Sequence, residues 1–148
     1  MLVDIRSEPF EPYFEIREYQ ERMGEKGKYG AIASFVGTMR DFNEGDEVQG
    51  MTLEYYPGMT EKHIAEICER AGKQWNILDC LVLHRVGDIK VSDAIVLISI
   101  WSAHRGDALD ACRFIIEDLK ARAPFWKKEK LAEGERWVEK NTSGYSNR

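Results

Sequence analysis

Apolar positions recur along this chain with two periods. From Gln49 to Tyr56, Met51, Leu53 and Tyr55 alternate with Gly50, Thr52 and Glu54, the period of two that predicts a half-buried strand. Ile64, Ile67, Cys68, Ala71 and Trp75 instead fall on one face of a helix. Pro57-Gly58 stops the strand, Thr60 is placed to cap the helix through its hydroxyl, and Met59 and Ile64 are spaced for a hydrophobic staple.

Elsewhere the same signals predict a helix over 11–23 that ends near Gly24, and a strand over 29–36 that runs into Gly37. The 78–86 and 94–101 runs are rich in β-branched and aliphatic residues and are joined by a short link, which predicts a hairpin. A last helix is expected from an Asp107 cap to about Ala121, with Leu109, Cys112, Ile116 and Leu119 as its buried stripe, and Pro124 closes it. Residues 40–47 read as an exposed loop with a Gly45-Asp46 turn, 136–139 as a short strand, and 140–148 as a flexible polar tail. The order β-β-α-β-β-α predicts an α+β fold with helices on a largely antiparallel sheet, in one domain spanning 1–148.

Composition narrows the function. The 148 residues carry 21 Lys and Arg against 26 Asp and Glu, a net charge of −5, which argues against a general nucleic-acid binder. No apolar run approaches the roughly 20 residues of a membrane-spanning helix, and the first residues lack a signal-peptide pattern, so a cytoplasmic protein is expected. Cys68, Cys80 and Cys112 are an odd set without a C-x-x-C pair, and the three histidines lack ligand spacing, so neither a disulfide framework nor a metal site is expected. His84 reads as structural. No P-loop, Rossmann or G-x-S-x-G pattern occurs, and nothing marks an internal serine or cysteine nucleophile. Any chemistry falls to lysine and arginine.

The 120–130 window holds five cations, Lys120, Arg122, Lys127, Lys128 and Lys130, against Glu129; it is +4, which leaves −9 for the rest of the chain. Such a run is usually a solvated helix end, favoured there by the helix dipole. Pro124-Phe125-Trp126 inside it argues the other way, since an apolar pair can anchor the segment and fix where Lys127 and Lys128 point. A second cluster, His104 and Arg105 before a helix start, suits a phosphate or carboxylate, or is merely a polar turn. A third, Thr38-Met39-Arg40, follows a strand and is weak alone. Arg105 and Lys120 stand at opposite ends of the last predicted helix, about 20 Å apart at 1.5 Å per residue. One small anion cannot touch both in one chain. Either two sites exist, or one site forms between two subunits.

Five ordered segments carry a family resemblance: Phe35-Val36-Gly37-Thr38-Met39-Arg40, Leu53-Glu54-Tyr55-Tyr56-Pro57-Gly58-Met59, His84-Arg85-Val86-Gly87, Ser102-Ala103-His104-Arg105, and the segment from Lys120 to Glu129. Together they resemble the large, catalytic subunit of molybdopterin synthase over residues 30–139. Tyr55, Ser92, Met39 and Trp101 depart from the family's usual residues.

The resemblance implies an α/β hammerhead fold and a homodimer flanked by a small ubiquitin-like sulfur carrier. That carrier ends in Gly-Gly and brings sulfur as a thiocarboxylate. The implied substrate is cyclic pyranopterin monophosphate, which two sulfur transfers convert to molybdopterin in molybdenum cofactor biosynthesis, with no cofactor. By the same resemblance Lys120 and Lys127 are catalytic, and Thr38, Met39, Arg40, His104, Arg105, Lys128 and Glu129 complete the substrate site. A phosphate-ester hydrolase and a non-catalytic dimeric module for an anion or a partner's tail remain as alternatives.

Overall fold

The computed structural model describes residues 1–139 and 143–146. Its elements are β1 (Leu2–Arg6), α1 (Pro12–Met23), β2 (Ala31–Thr38), β3 (Phe42–Asn43), β4 (Asp46–Tyr55), α2 (Met59–Gln74), β5 (Asp79–Arg85), β6 (Gly87–Lys90), β7 (Ala94–Ser102), α3 (Arg105–Arg122), β8 (Phe125–Leu131) and β9 (Glu135–Val138). They build two sheets. The first runs β1-β5-β7-β2 and is antiparallel except for the β1–β5 pair. The second runs β3-β4-β8-β9, with β6 also paired to β4. Mixed helices and mostly antiparallel sheets agree with the α+β expectation.

Strand alternation explains the layering of the first sheet. Val96, Ile98 and Ile100 of β7, with Cys80 and Val82 of β5, face α2 and α3 in the main core. The intervening Leu97, Trp101, Leu81 and Leu83 face the other way, onto Ile16 and Tyr19 of α1. Both faces are therefore covered, which is why these two strands read as unbroken apolar runs. Trp101 is fully buried on the α1 side, its Nε1 donating to Gln20 at 3.1 Å, so its bulk fills that layer.

The expected hairpin of β5 and β7 forms, but its connection is itself structural. β6 leaves the first sheet and pairs with β4 of the second. Ser92 in this link has φ +75, a conformation that suits glycine. Beside it, β2 shifts register between Gly37 and Thr38. A Cβ on Gly37 would lie 2.9 Å from Val96 Cγ1, so packing demands the glycine. The shift turns the chain out of the first sheet, with Met39 N–H donating to Asp93 O at 2.9 Å. Met39, Val48, Met51, Leu53, Val86 and Ile89 then form a second core beneath the second sheet.

Several local expectations change. Helix α2 starts one residue before Thr60, capped at Gly58, whose N–H donates to Glu61 Oε1 at 2.9 Å. Met59 is 53% exposed and staples nothing. Helix α3 begins at Arg105 with His104 as its cap, so Asp107 lies in the first turn. Its buried stripe runs through Ala108, Ala111, Cys112, Ile115, Ile116 and Leu119, while Leu109 is exposed, because small alanines bring the helix against the sheet. Residues 42–47 form a tight hairpin, with Glu44 and Gly45 at φ +51 and +81 in the turn. Strands β1, β3, β6 and β8 were not expected.

Thr60 links the two layers. Its hydroxyl accepts from Tyr56 N–H at 3.0 Å and donates to the carbonyl of Pro124 at 3.1 Å, and the residue is fully buried. It thereby ties the start of α2 to the connection between α3 and β8. Thr60→Val keeps the shape and strands both backbone partners, so we expect a loss of about 1–3 kcal/mol. Urea titration should show a lower midpoint at unchanged slope.

Candidate functional site

Two lysines meet at one cavity because α3 and β8 are joined by a tight connection. Ala123 N–H closes the last turn of α3 on Leu119 O at 3.0 Å, and Pro124 starts the reversal. Lys120 occupies that last helical turn. Lys127 lies opposite Leu53 of β4 in the ladder, and Glu129 lies opposite Met51. Alternation along β8 sends Lys127 and Glu129 inward with these apolar partners. It sends Lys128 and Lys130 to the outer face, where Lys128 Nζ lies 3.3 Å from Glu135 and 5.3 Å from the Trp137 ring centre. Lys128 is thus absent from the lining of this cavity.

The cavity holds about 440 Å³. Thr38, Met39, Arg40, Lys120, Lys127 and Glu129 all line it, so six of the nine expected residues converge. Met39 is buried there, as part of its floor. His104 and Arg105 are absent from the lining; they are exposed at the far end of α3. Phe35, Phe42, Asn43, Arg113 and Glu117 are additions that sequence reasoning missed. For α3 a signal existed: Arg113, Ile116, Glu117 and Lys120 follow steps of three, one and three, one helical face.

Ser143 and Gly144 also line the cavity, and Arg113 Nη2 donates to the Tyr145 hydroxyl at 2.8 Å. The tail expected to be loose therefore contributes a wall where it is described, while 140–142 and 147–148 lie outside the described residues.

Charge in the cavity is lopsided. Arg40, Arg113, Lys120 and Lys127 face Glu117 and Glu129. Glu117 pairs with Arg113 at 3.1 Å, and Glu129 accepts from Asn43 and from Arg136. Four cations against two carboxylates leave the lining with an excess of positive charge. Burial first, then Lys127 and Arg40, lower the Lys120 ammonium from 10.5 to about 8. Burial is also the main cause that lowers Lys127, opposed by Glu129 and reinforced by Arg40. A narrower cavity of about 70 Å³ continues behind the lysines, lined also by His84 and Phe125. His84 Nδ1–H donates to Arg85 O at 2.9 Å, and the ring stacks on Phe125 at 4.0 Å. Burial holds His84 down to about 3, so it stands neutral beside the lysines.

Among the described residues, no group of three or more His, Cys, Asp or Glu could hold a metal ion. The cysteines are free and buried, Cys68 and Cys80 with their sulfurs 3.6 Å apart. No described helix is long and apolar enough to cross a membrane.

The family model of the MoaE protein matches residues 10–122. The chain belongs to the MoaE family. Its relatives include the molybdopterin synthase catalytic subunits of Ralstonia nicotianae, 54% identical over 110 residues, and Vibrio cholerae, 46% identical over 132. The first alignment covers 74% of this chain and 62% of that protein; the second covers 89% and 88%. Among solved structures, the molybdopterin biosynthesis MoaE protein of Burkholderia ambifaria superposes with a TM-score of 0.78 at 41% identity, over 95% of this chain and 90% of that one. The family model ends at Arg122, before β8, so the MoaE match reaches Lys120 and stops short of Lys127.

The Lys120 shift has a sign that can be tested. Its folded value lies below the unfolded one, so the unfolded chain binds the extra proton between about pH 8 and 10.5. The penalty of burying the ammonium is fully present below pH 8 and is relieved as pH rises through that window. Lys120→Met should therefore raise Tm at pH 7 by about 2–4 °C, the shift for ~1 kcal/mol in a chain of this size. Nζ titration by NMR should give a midpoint near 8, moved upward in Arg40→Gln.

Proposed function

We propose that this chain is the catalytic subunit of a molybdopterin synthase, working in the cytoplasm as one functional domain. It converts cyclic pyranopterin monophosphate to molybdopterin by two sulfur transfers from the thiocarboxylate of a small ubiquitin-like carrier. The observation that supports this most is the pairing of Lys120 with Lys127 at a cationic cavity of an otherwise acidic chain. Relatives bearing the catalytic-subunit name over most of this chain's length support the same reading.

The chemistry follows from what the cavity contains and lacks. The sulfur nucleophile arrives on the carrier, so the chain needs no nucleophile of its own. It must hold a phosphate and move protons as sulfur adds and oxygen leaves. Arg40, with the planar donor fork of a guanidinium, suits the phosphate. Lys120, at about 8, exchanges a proton near neutral pH far more readily than an ordinary lysine, as general acid or base. Lys127 is second in that role, and its charge stabilises developing negative charge on the substrate. Phe35, Phe42, Met39 and Met51 supply flat or pliant apolar walls for a ring system. Glu129 has both oxygens engaged by Asn43 and Arg136, so its part is to hold the wall.

His104 and Arg105 enter from a second subunit in this reading. They sit at the exposed N-terminus of α3, whose free N–H groups add to their attraction for an anion. Each helix then gives Lys120 to its own cavity and its other end to the partner's.

Mass spectrometry tests the assignment. Wild-type protein with the pterin and thiocarboxylated carrier should add two sulfurs, and Lys120→Ala should add none while keeping its circular dichroism. Wild-type turnover by Lys120→Ala would overturn the role of that lysine. For the shared site, Lys120→Ala and Arg105→Ala chains should be inactive alone and regain part of the activity when mixed as dimers; no recovery refutes it.

A further inference from the structure

One wall of the cavity is the β3–β4 hairpin, which carries Phe42 and Asn43 and follows directly on Arg40. Two ladder pairs hold it, Phe42 with Glu47 and Asn43 with Asp46, and Val48 N–H donates to Asp41 O at 2.8 Å at its base. A hairpin of that length is marginal by itself. Its anchor lies two strands away, on β9.

One guanidinium reaches the hairpin at several points. Arg136 Nη1 donates to Asp46 Oδ2 at 2.6 Å and Nη2 donates to the carbonyl of Asn43 at 3.0 Å, with Glu44 3.9 Å away. Its Nε donates to Glu129 Oε1 at 3.0 Å, directly across the β8–β9 ladder. The other oxygen of Glu129 accepts from Asn43 Nδ2 at 3.0 Å. Arg136, Asn43 and Glu129 thus close a ring joining the hairpin to β8, the strand that bears Lys127. Glu129 is 5% exposed, so loss of the cation that donates to it removes a partner from a buried carboxylate, a larger effect than breaking a surface pair. The planar fork of an arginine spreads five donors over its width and reaches Asp46, Asn43 and Glu129 together, whereas an ammonium concentrates its three donors at one point.

We infer that Arg136 is a positioning residue for the reaction: it holds the β3–β4 hairpin against β8 so that Arg40, Phe42 and Asn43 form the substrate-facing wall. The inference rests on the reading of this cavity as the substrate site. Arg136 itself touches no substrate; it acts through Asn43 and Glu129.

Hydrogen exchange on the unliganded protein tests the anchoring apart from any activity. Arg136→Gln should speed amide exchange over 40–47 about tenfold or more, the factor for losing one charge-assisted hydrogen bond. Exchange in α2 and α3 should stay as in the wild type. Arg136→Lys should fall between the two. Glu135→Gln, which removes only the outer-face partner of Lys128, should leave 40–47 unchanged. In the sulfur-transfer assay, Arg136→Gln should raise KM for the pterin about tenfold with a much smaller change in kcat, partly restored in Arg136→Lys. Unchanged exchange over 40–47, faster exchange across the whole chain, or a loosened hairpin with an unaltered KM would each overturn it. An inactive wild type would refute the proposed function, and the exchange data would then decide the anchoring alone.

Discussion

Two ammonium groups of like sign share one wall, and the scaffold must hold them there against their repulsion and against the loss of water. Lys120 gets its place from a helix packed along the main core, and Lys127 from a strand paired on both sides. Neither support alone would suffice. The tight turn at Ala123 and Pro124 couples them, and Thr60 clasps that turn through the Pro124 carbonyl. The C-terminal end of the α3 dipole favours a cation by about 0.3–1 kcal/mol, which opposes the lowering of Lys120. Burial dominates nonetheless, and the lysine falls to about 8. The site therefore works against the stability of its own scaffold, as preorganised sites commonly do.

The rest of the architecture carries chain to that wall. The first sheet, covered on both faces, is the rigid body. Two departures from it build the cavity: the register shift at Gly37 and Thr38, which delivers Arg40, and the β6 excursion, which pairs with β4 and brings the second sheet alongside. The cavity lies where these departures meet the C-terminal half of α3, and its lining comes from both sheets.

What was legible in the sequence follows from which signals are local. The helical stripe of α2, the alternation of β4 and the apolar runs of β5 and β7 each sit within one element, and all were readable. Strand β8 was not, because its alternation is between two kinds of charged position. Lys127 and Glu129 face the cavity and Lys128 and Lys130 face solvent, so a period-two pattern hides inside a run that hydrophobicity alone reads as uniformly polar. Strand β3 has two residues and β6 four, too short to show a period, and β1 was overlooked at the chain's start. Arg113 was missed for another reason: on a helix, an arginine facing a site looks like one facing water until the opposite wall is known. The resemblance supplied Lys120, Lys127 and Arg40 without any of this geometry, and the structure brings those three together.

The distribution of charge argues for why the nucleophile need not belong to this chain. The chain's own Cys112 lies in the main core, outside the cavity, where burial pushes its thiol up to about 11. Such a group is a poor nucleophile near neutral pH. Beside Arg40, Lys120 and Lys127 an incoming anionic sulfur is instead favoured, since the cations stabilise negative charge wherever it enters. On the proposed reading the arrangement suits a division of labour: the visiting chain brings a charged nucleophile that the cavity attracts, and this chain supplies fixed cations and a lysine able to part with a proton. A site of fixed cations alone would bind its anions and hold them. Lowering one lysine to about 8 gives the site a charge it can set aside, so the same wall that gathers the reactants can also change as they react.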